Sequence, residues 1–168
     1  MYEKIKKDYK ANKGNKKGLI IITSYRICNY LYHHPNYLIR AIGFPIRKIR
    51  SLIFKYIMGI EIPEQMLIGH SCSIWHGNGL IINPKVILGN NVLLRHTTTI
   101  GNKSRGSDCP VIGDNVDIGA HTIIIGGIQI GNNVTIGAGS IITKSIIENS
   151  IAYGNPLKII SKIDAIND

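Results

Sequence analysis

Aromatic side chains make up only 7% of the 168 residues, and few of them fall in the second half. That scarcity argues against a core of mixed large side chains there. Acidic residues are nearly missing from one region. Residues 1–60 hold 13 lysines and arginines against Glu3 and Asp8 alone, a net charge of +11, whereas the remainder nets −1. Such a block can attract nucleic acid, an anionic membrane face or an anionic polymer, or serve only as a solvated helical face. Interleaved aromatic and basic residues on a defined motif are absent, which argues against a nucleic-acid partner. No apolar run reaches the length of about 18 residues that a membrane span needs. Tyr37–Ile60 is apolar but broken by Arg40, Arg47, Lys48, Arg50 and Lys55, a pattern for lying on a membrane surface rather than crossing it. The three cysteines, Cys28, Cys72 and Cys109, are odd in number, far apart and lack a zinc-ligand spacing. With no cleavable signal pattern at the start, they predict a reducing, cytoplasmic setting.

What is abundant is glycine and isoleucine, and both are periodic. Aliphatic residues recur every six positions at Ile62, Ile68 and Ile74, at Leu88, Leu94 and Ile100, and from Ile112 through Ile118, Ile124, Ile130 and Ile136 to Ile142. Glycine follows many of them, and Asn-Asn or Asp-Asn often comes next, as in Gly89-Asn90-Asn91 and Gly131-Asn132-Asn133. A period of six fits neither a helix nor an alternating strand. It fits a solenoid of short strands and tight turns, with one inward aliphatic per unit. Three units close a coil, and the Gly-Asn pairs supply the left-handed backbone its corners need. The expected fold is mainly β, a parallel β-helix.

Two places break the step. Ile74 and Leu88 are 14 residues apart where two repeats use 12, and Ile100 and Ile112 are 12 apart where one repeat uses six. The second excess, 102–109, is polar and is expected to leave the solenoid as a loop, a natural place for a site. Before residue 59 the pattern is helical: a basic Tyr2–Lys17, an amphipathic Gly18–Tyr32, then Pro35 and Pro45 as punctuation. Several short helices are expected over 1–58, capping the first coil of a β-helix over 59–146. Residues 147–168 read as a C-terminal tail.

Counting two residues beyond Ile74, Leu94, Ile118 and Ile136 gives one column of His76, His96, Ala120 and Ala138. Two histidines above a track of small residues suggest a reacting end and a slot for an elongated ligand; alanines that merely fit a tight corner explain the lower half equally well. His121 stands alone on its strand, and His33-His34 reads as surface or packing.

From Glu61 to Ile160 the chain resembles the serine acetyltransferase branch of hexapeptide-repeat acyltransferases. It is more similar still to the colanic-acid and capsular-polysaccharide O-acetyltransferases related to that branch. The resemblance rests on Tyr25-Arg26-Ile27, Glu61-Ile62, His76-Gly77, Arg95-His96, Thr99-Ile100-Gly101, Cys109-Pro110, Ile136-Gly137-Ala138-Gly139-Ser140 and Gly154-Asn155-Pro156. It implies a left-handed coil and a homotrimer that binds acetyl-CoA between subunits. It also implies His76 as general base, with Glu61, 15 residues earlier, standing for the family's orienting aspartate. A carboxylate on one ring nitrogen sets the tautomer, and the other nitrogen deprotonates an acceptor hydroxyl that attacks the thioester. Gly101, Asn102, Ala120 and Ala138 correspond to the donor track, with Lys144 and Lys158 as candidate partners for its phosphates.

The acceptor side departs from the serine enzyme. Trp75 replaces an amine-binding aspartate, and Asp108-Cys109 replaces an Arg-His pair that contacts the amino acid. An indole beside the base suits a sugar face. Arg95 and His96 are then acceptor-side residues, with His96 the second candidate for the base role. Asp8 lies in a segment resembling one that carries a serine-binding aspartate. The expected activity is O-acetylation of a sugar hydroxyl in capsular, exopolysaccharide or related glycan biosynthesis, with serine O-acetylation as the alternative. The expected location is cytoplasmic, with peripheral contact to an anionic inner membrane face. Metal is not expected. Hexapeptide-repeat carbonic anhydrases hold zinc with two histidines five residues apart, a spacing no histidine pair here has. Cys109 reads as a structural thiol, and the loop lacks the catalytic histidine of a related sugar and antibiotic acetyltransferase branch.

Overall fold

The computed structural model describes residues 1–163, which form three helices and a parallel β-helix of five coils. The first coil carries β1 (Leu67–Ile68) and β2 (Ser73–Trp75). The second carries β3 (Ile81–Ile82), β4 (Ile87–Leu88) and β5 (Leu93–Arg95). The third carries β6 (Thr99–Gly101), β7 (Val111–Ile112) and β8 (Asp117–Ile118). The fourth carries β9 (Ile123–Ile125), β10 (Gln129–Ile130) and β11 (Thr135–Ile136). The fifth carries β12 (Ile141–Ile142) and β13 (Ser150–Tyr153), and β14 (Lys158–Ser161) turns back antiparallel on β13. Equivalent strands stack into three walls, β1-β4-β7-β10, β2-β5-β8-β11-β13 and β3-β6-β9-β12.

The six-residue period works because each strand is short enough to send one aliphatic inward. Ile68, Leu88, Ile112 and Ile130 line one wall, and Ile74, Leu94, Ile118 and Ile136 the next, all 2% exposed or less. At one corner Asn91, Asn115, Asn133 and Asn149 all take φ of 54–58°. Their amides then stack, each donating to the next at 3.0 Å. Asparagine tolerates this left-handed conformation and gains a ladder from it.

The β-helix extends past the expected boundary at 146. β13 pairs in register with β11 through Thr135↔Ile151 and Ile136↔Ala152, and Ala152 is fully buried. The aliphatic period had decayed there, but the wall still had a free edge to pair, and β14 covers it. Residues 164–168 of the expected tail lie outside the described residues.

The N-terminal segment is three helices, α1 (Tyr2–Ala11), α2 (Lys16–His33) and α3 (Tyr37–Leu52), the last continuing through a π-helical turn at Ile53–Ile57. Pro45 lies inside α3 rather than ending it. α3 packs closely on α2, where a Cβ on Gly43 would sit 2.9 Å from Cβ of Leu31.

The expected cap is real, and it is polar. The first coil has no strand below it, so its backbone groups need partners. Asn12 Nδ2 donates to Cys72 O at 2.8 Å, and Asn12 Oδ1 accepts from Ile74 N at 3.1 Å. Asn15 Nδ2 donates to Ile74 O at 2.7 Å. Tyr25 Oη reaches Met66 O at 2.7 Å, Asn29 Nδ2 reaches Glu64 O at 2.8 Å, and Arg50 Nη1 reaches Ile62 O at 3.0 Å. Arg26 donates to Ile68 O at 2.7 Å and to Gly69 O.

Asp8 belongs to this cap and not to a substrate site. It is fully buried, accepts from Arg26 Nε at 2.8 Å and takes the Cys72 amide at 3.0 Å. A carboxylate so enclosed can reach no ligand. Asp8→Ala leaves Arg26 buried and unpaired, and we expect a loss of about 3–5 kcal/mol, measured by denaturant unfolding.

Candidate active site

The two surplus residues between β2 and β3 shape the site. Elsewhere, the residue four before the inward isoleucine of the wall β3-β6-β9-β12 is His96, Ala120 or Ala138; in the first coil that count gives Asn78. The backbone agrees. Thr97 N donates to Asn78 O, His121 N to His96 O and Gly139 N to Ala120 O, at 2.7, 3.1 and 2.8 Å. So Asn78, not His76, is in register with His96, Ala120 and Ala138. Counting from the preceding strand misassigned His76 because the insertion falls between the two.

His76 and Gly77 are therefore an added pair that bulges from the corner. His76 has φ 67°, and Gly77 N donates back across it to Trp75 O at 2.8 Å. This is the rare, strained form of γ-turn. Gly77 has φ 70°, and a Cβ on it would lie 2.8 Å from Cδ1 of Ile21 in α2. The bulge leaves the His76 side chain exposed, with its ring edge-on to His96 at 5.6 Å between centroids. His96 is in turn edge-on to His121 at 5.1 Å, so His121 is not isolated. It occupies the positive-φ position after Ala120, which turns its ring back toward the preceding coil. His96 Nδ1 is buried without a hydrogen-bond partner among the described residues.

Lys17, His76, Asn78 and His96 line an open cleft of about 430 Å³. Lys17 comes from the start of α2 and donates to Asn78 Oδ1. α2 reaches this corner because Gly18 lies against the Ile74 carbonyl, where a Cβ would sit 2.2 Å from the oxygen. Neither Lys17 nor Asn78 was among the sequence candidates. Counting back from the following strand would have found Asn78; Lys17 carries no local signal. Trp75 stands beside the cleft, 43% exposed, its Nε1 on Ser73 Oγ at 3.1 Å and its ring 6.5 Å from that of His76. Arg95 is its cross-strand neighbour and is held by Asp117 and by Ile118 O at 3.1 Å.

Other candidates lie elsewhere. Glu61 pairs with Lys55 Nζ at 3.1 Å and lines a separate cavity of about 220 Å³ beneath α3, so it does not hydrogen-bond His76. Its extra methylene and a cation six residues upstream turn the carboxylate toward the helices. Asp108 and Cys109 sit with Lys85 and Gln129 at the other end of the β3-β6-β9-β12 wall, where the 102–109 loop leaves and rejoins. Gly101 and Asn102 share that end, Asn102 accepting from Asn83 Nδ2 at 3.0 Å. Ala120 and Ala138 mark the histidine end. Gly101 and the two alanines thus bracket one wall instead of forming one column. Lys144 and Lys158 are exposed, and neither ammonium has a protein partner among the described residues. The described residues contain no cluster of three or more His, Cys, Asp or Glu placed to hold a metal.

Residues 109–144 match the family described as bacterial transferase hexapeptide (six repeats). Over 157 residues the chain is 34% identical to a protein of Escherichia coli K12 named "Putative colanic acid biosynthesis acetyltransferase WcaB", covering 90% of this chain and 96% of that one. The chain belongs to the hexapeptide-repeat acyltransferases. Within that family it is also 36% identical to a serine acetyltransferase of Staphylococcus aureus N315 over 148 residues, 86% of this chain and 66% of the other. The structure of Neisseria gonorrhoeae serine acetyltransferase superposes with a TM-score of 0.79 at 27% identity, over 95% of this chain and 64% of that one. A serine acetyltransferase from Brucella abortus S19, solved with coenzyme A, shares the fold with a TM-score of 0.78 at 24% identity, over 95% and 67% of the two chains. The chain thus spans about two thirds of each of these three serine acetyltransferases.

All three thiols are buried, which pushes Cys72 up to about 12 and raises Cys28 and Cys109 above the ordinary thiol range. A protonated thiol is a poor nucleophile. Cys109→Ser is therefore expected to leave turnover unchanged in a thioester-consumption assay. Gly77→Ala, which adds a methyl at positive φ against Ile21, is expected to cost about 1–3 kcal/mol in thermal unfolding and to lower turnover by displacing His76.

Proposed function

We propose that the protein transfers an acetyl group from acetyl-CoA to a sugar hydroxyl in capsular, exopolysaccharide or related glycan biosynthesis, with His76 as general base. One observation carries the reading: the inserted γ-turn raises His76 into a cleft lined by Lys17, Asn78 and His96, beside an exposed indole and with no carboxylate among the described residues that line it. A serine ammonium asks for a carboxylate at that place. A sugar asks for hydrogen-bonding side chains and an apolar ring face, which Asn78, Lys17 and Trp75 supply. The family relationship to a protein named for colanic acid biosynthesis agrees with it.

In this mechanism His76 takes the proton of the acceptor hydroxyl, and the oxygen bonds to the thioester carbonyl carbon. The C–S bond then breaks, and the CoA thiolate leaves with the electron pair and recovers the proton from the imidazolium. The ring is aimed by its γ-turn and by its contact with His96, since Glu61 is engaged by Lys55. Base assistance of this kind contributes about 10²–10⁴ in rate. The donor lies along the wall bracketed by Ala120 and Ala138 at one end and Gly101 and Asn102 at the other. A second subunit of a homotrimer covers it, and Lys144 and Lys158 meet its phosphates. Trp75 and Arg95 form the acceptor platform. The cationic N-terminal third favours a place beside an anionic membrane.

Serine O-acetylation is the second reading, supported by 36% identity to a serine acetyltransferase. Thioester consumption with a panel of glycan repeat units against L-serine separates the two. Glycan transfer supports the proposal, and O-acetylserine formation alone rejects it. His76→Ala is expected to lower kcat by about 10²–10⁴ with acetyl-CoA binding nearly unchanged. If His96→Ala abolishes turnover while His76→Ala does not, the base is His96. A fully active monomer in light scattering rules out the intersubunit donor site.

A further inference from the structure

α3 has a buried side at Gly43, Arg50 and Phe54, and a second apolar side that nothing covers. Leu38, Ile42, Ile49, Leu52, Ile53 and Tyr56 follow helical spacing down one stripe and are 42–75% exposed. Isolated exposed aliphatics are ordinary, but a continuous stripe over five turns is not. Lys48 and Lys55 flank it, and Arg40 stands exposed near its start.

The charge identifies the occupant. Residues 9–60 contain ten lysines and arginines and no acid; Arg26 and Arg50 are buried, Arg47 and Lys55 pair with Glu64 and Glu61, and Arg40 and Lys48 stand exposed on α3 without an acidic partner among the described residues. A second copy laid on this face would bring two such blocks together, which is repulsive. An anionic lipid leaflet has the complementary sign. Long basic side chains can bury their stems and keep their charges at headgroup level, and tyrosine is favoured at that depth. No helix among the described residues is long and apolar enough to cross a bilayer, so the geometry is that of a helix lying in the surface.

We propose that the Leu38–Tyr56 face of α3 docks the protein on an anionic phospholipid surface, its apolar stripe entering the headgroup layer. The inference shares the electrostatic premise of the functional reading but not its chemistry, so vesicle binding and acetyl transfer fail independently.

The test is co-sedimentation of the intact protein with vesicles of phosphatidylcholine alone, or with phosphatidylglycerol added, at low and moderate salt. Binding is expected only to the anionic vesicles and is expected to weaken with salt. Ile49→Glu with Ile53→Glu is expected to reduce partitioning about tenfold or more, because two aliphatic side chains are lost from the apolar phase. Both positions are exposed, and an unchanged circular dichroism melt shows that the variant folds. If it does not fold, Ile53→Trp replaces it: quenching by acyl-chain-brominated lipid beyond that of Trp75 supports insertion, and its absence overturns it. Equal binding of variant and native protein overturns the stripe's role and leaves only lysine attraction. No binding to either vesicle overturns the proposal, as does a larger lipid-free assembly that the glutamates dissociate, which assigns the face to a second copy.

Discussion

The open edge of the first coil is the constraint on which the rest of the structure depends. A parallel β-helix has unpaired carbonyls and amides at its starting end, and each buried group without a partner costs about 1–3 kcal/mol. Here side chains of the helices supply the missing strand. Asn12 meets Cys72 O and Ile74 N, Asn15 meets Ile74 O, and Arg26 meets Ile68 O and Gly69 O. Asp8 is buried to neutralise Arg26 and to hold the Cys72 amide, so the helices and the first coil form one polar joint.

That joint also builds the corner that carries His76. Asn15 and Gly18 bind α2 to the Ile74 carbonyl, one residue before Trp75 and two before His76. Ile21 closes on Gly77, and Lys17 extends over Asn78. A site built only from solenoid residues would lack its cation and the wall that holds the γ-turn in place. The strain at His76 is sustained because Trp75 is fixed by its strand and Gly77 by α2. The cap and the His76 bulge are two consequences of the same packing.

The chain divides its labour by charge. The β-helix half is near neutral and presents short polar corners, whereas the first 60 residues carry the whole positive excess. Some of that charge is internal: Arg26 and Arg50 serve coil carbonyls. Of the remainder, Arg40, Lys48 and Lys55 lie exposed along α3 and its π-helical turn, Lys55 paired with Glu61. Acetyl transfer needs only the first role. The second is the basis of the docking on an anionic surface proposed above.

Much of this was legible in the residues. The six-step of Ile62 to Ile142 with its Gly-Asn corners determined the parallel β-helix, because an inward aliphatic and a left-handed corner are local requirements. It also located the loop at 102–109 and two surplus residues between Ile74 and Leu88. The tertiary structure alone decided which neighbours those residues meet. Asp8 read as a ligand for substrate and became an internal counter-ion, since its partner Arg26 is 18 residues away and on another helix. Glu61 was matched to His76 by the family resemblance, yet its carboxylate meets Lys55 at 3.1 Å, a partner from the turn that follows α3. Asn78 was legible only by counting back from the following strand, whereas Lys17 joined the site through the approach of α2 and His121 through its ring contact with His96, which no periodicity encodes. A repeat sets where the backbone goes; which side chains converge depends on the insertion that breaks the repeat and on the helix packed against it.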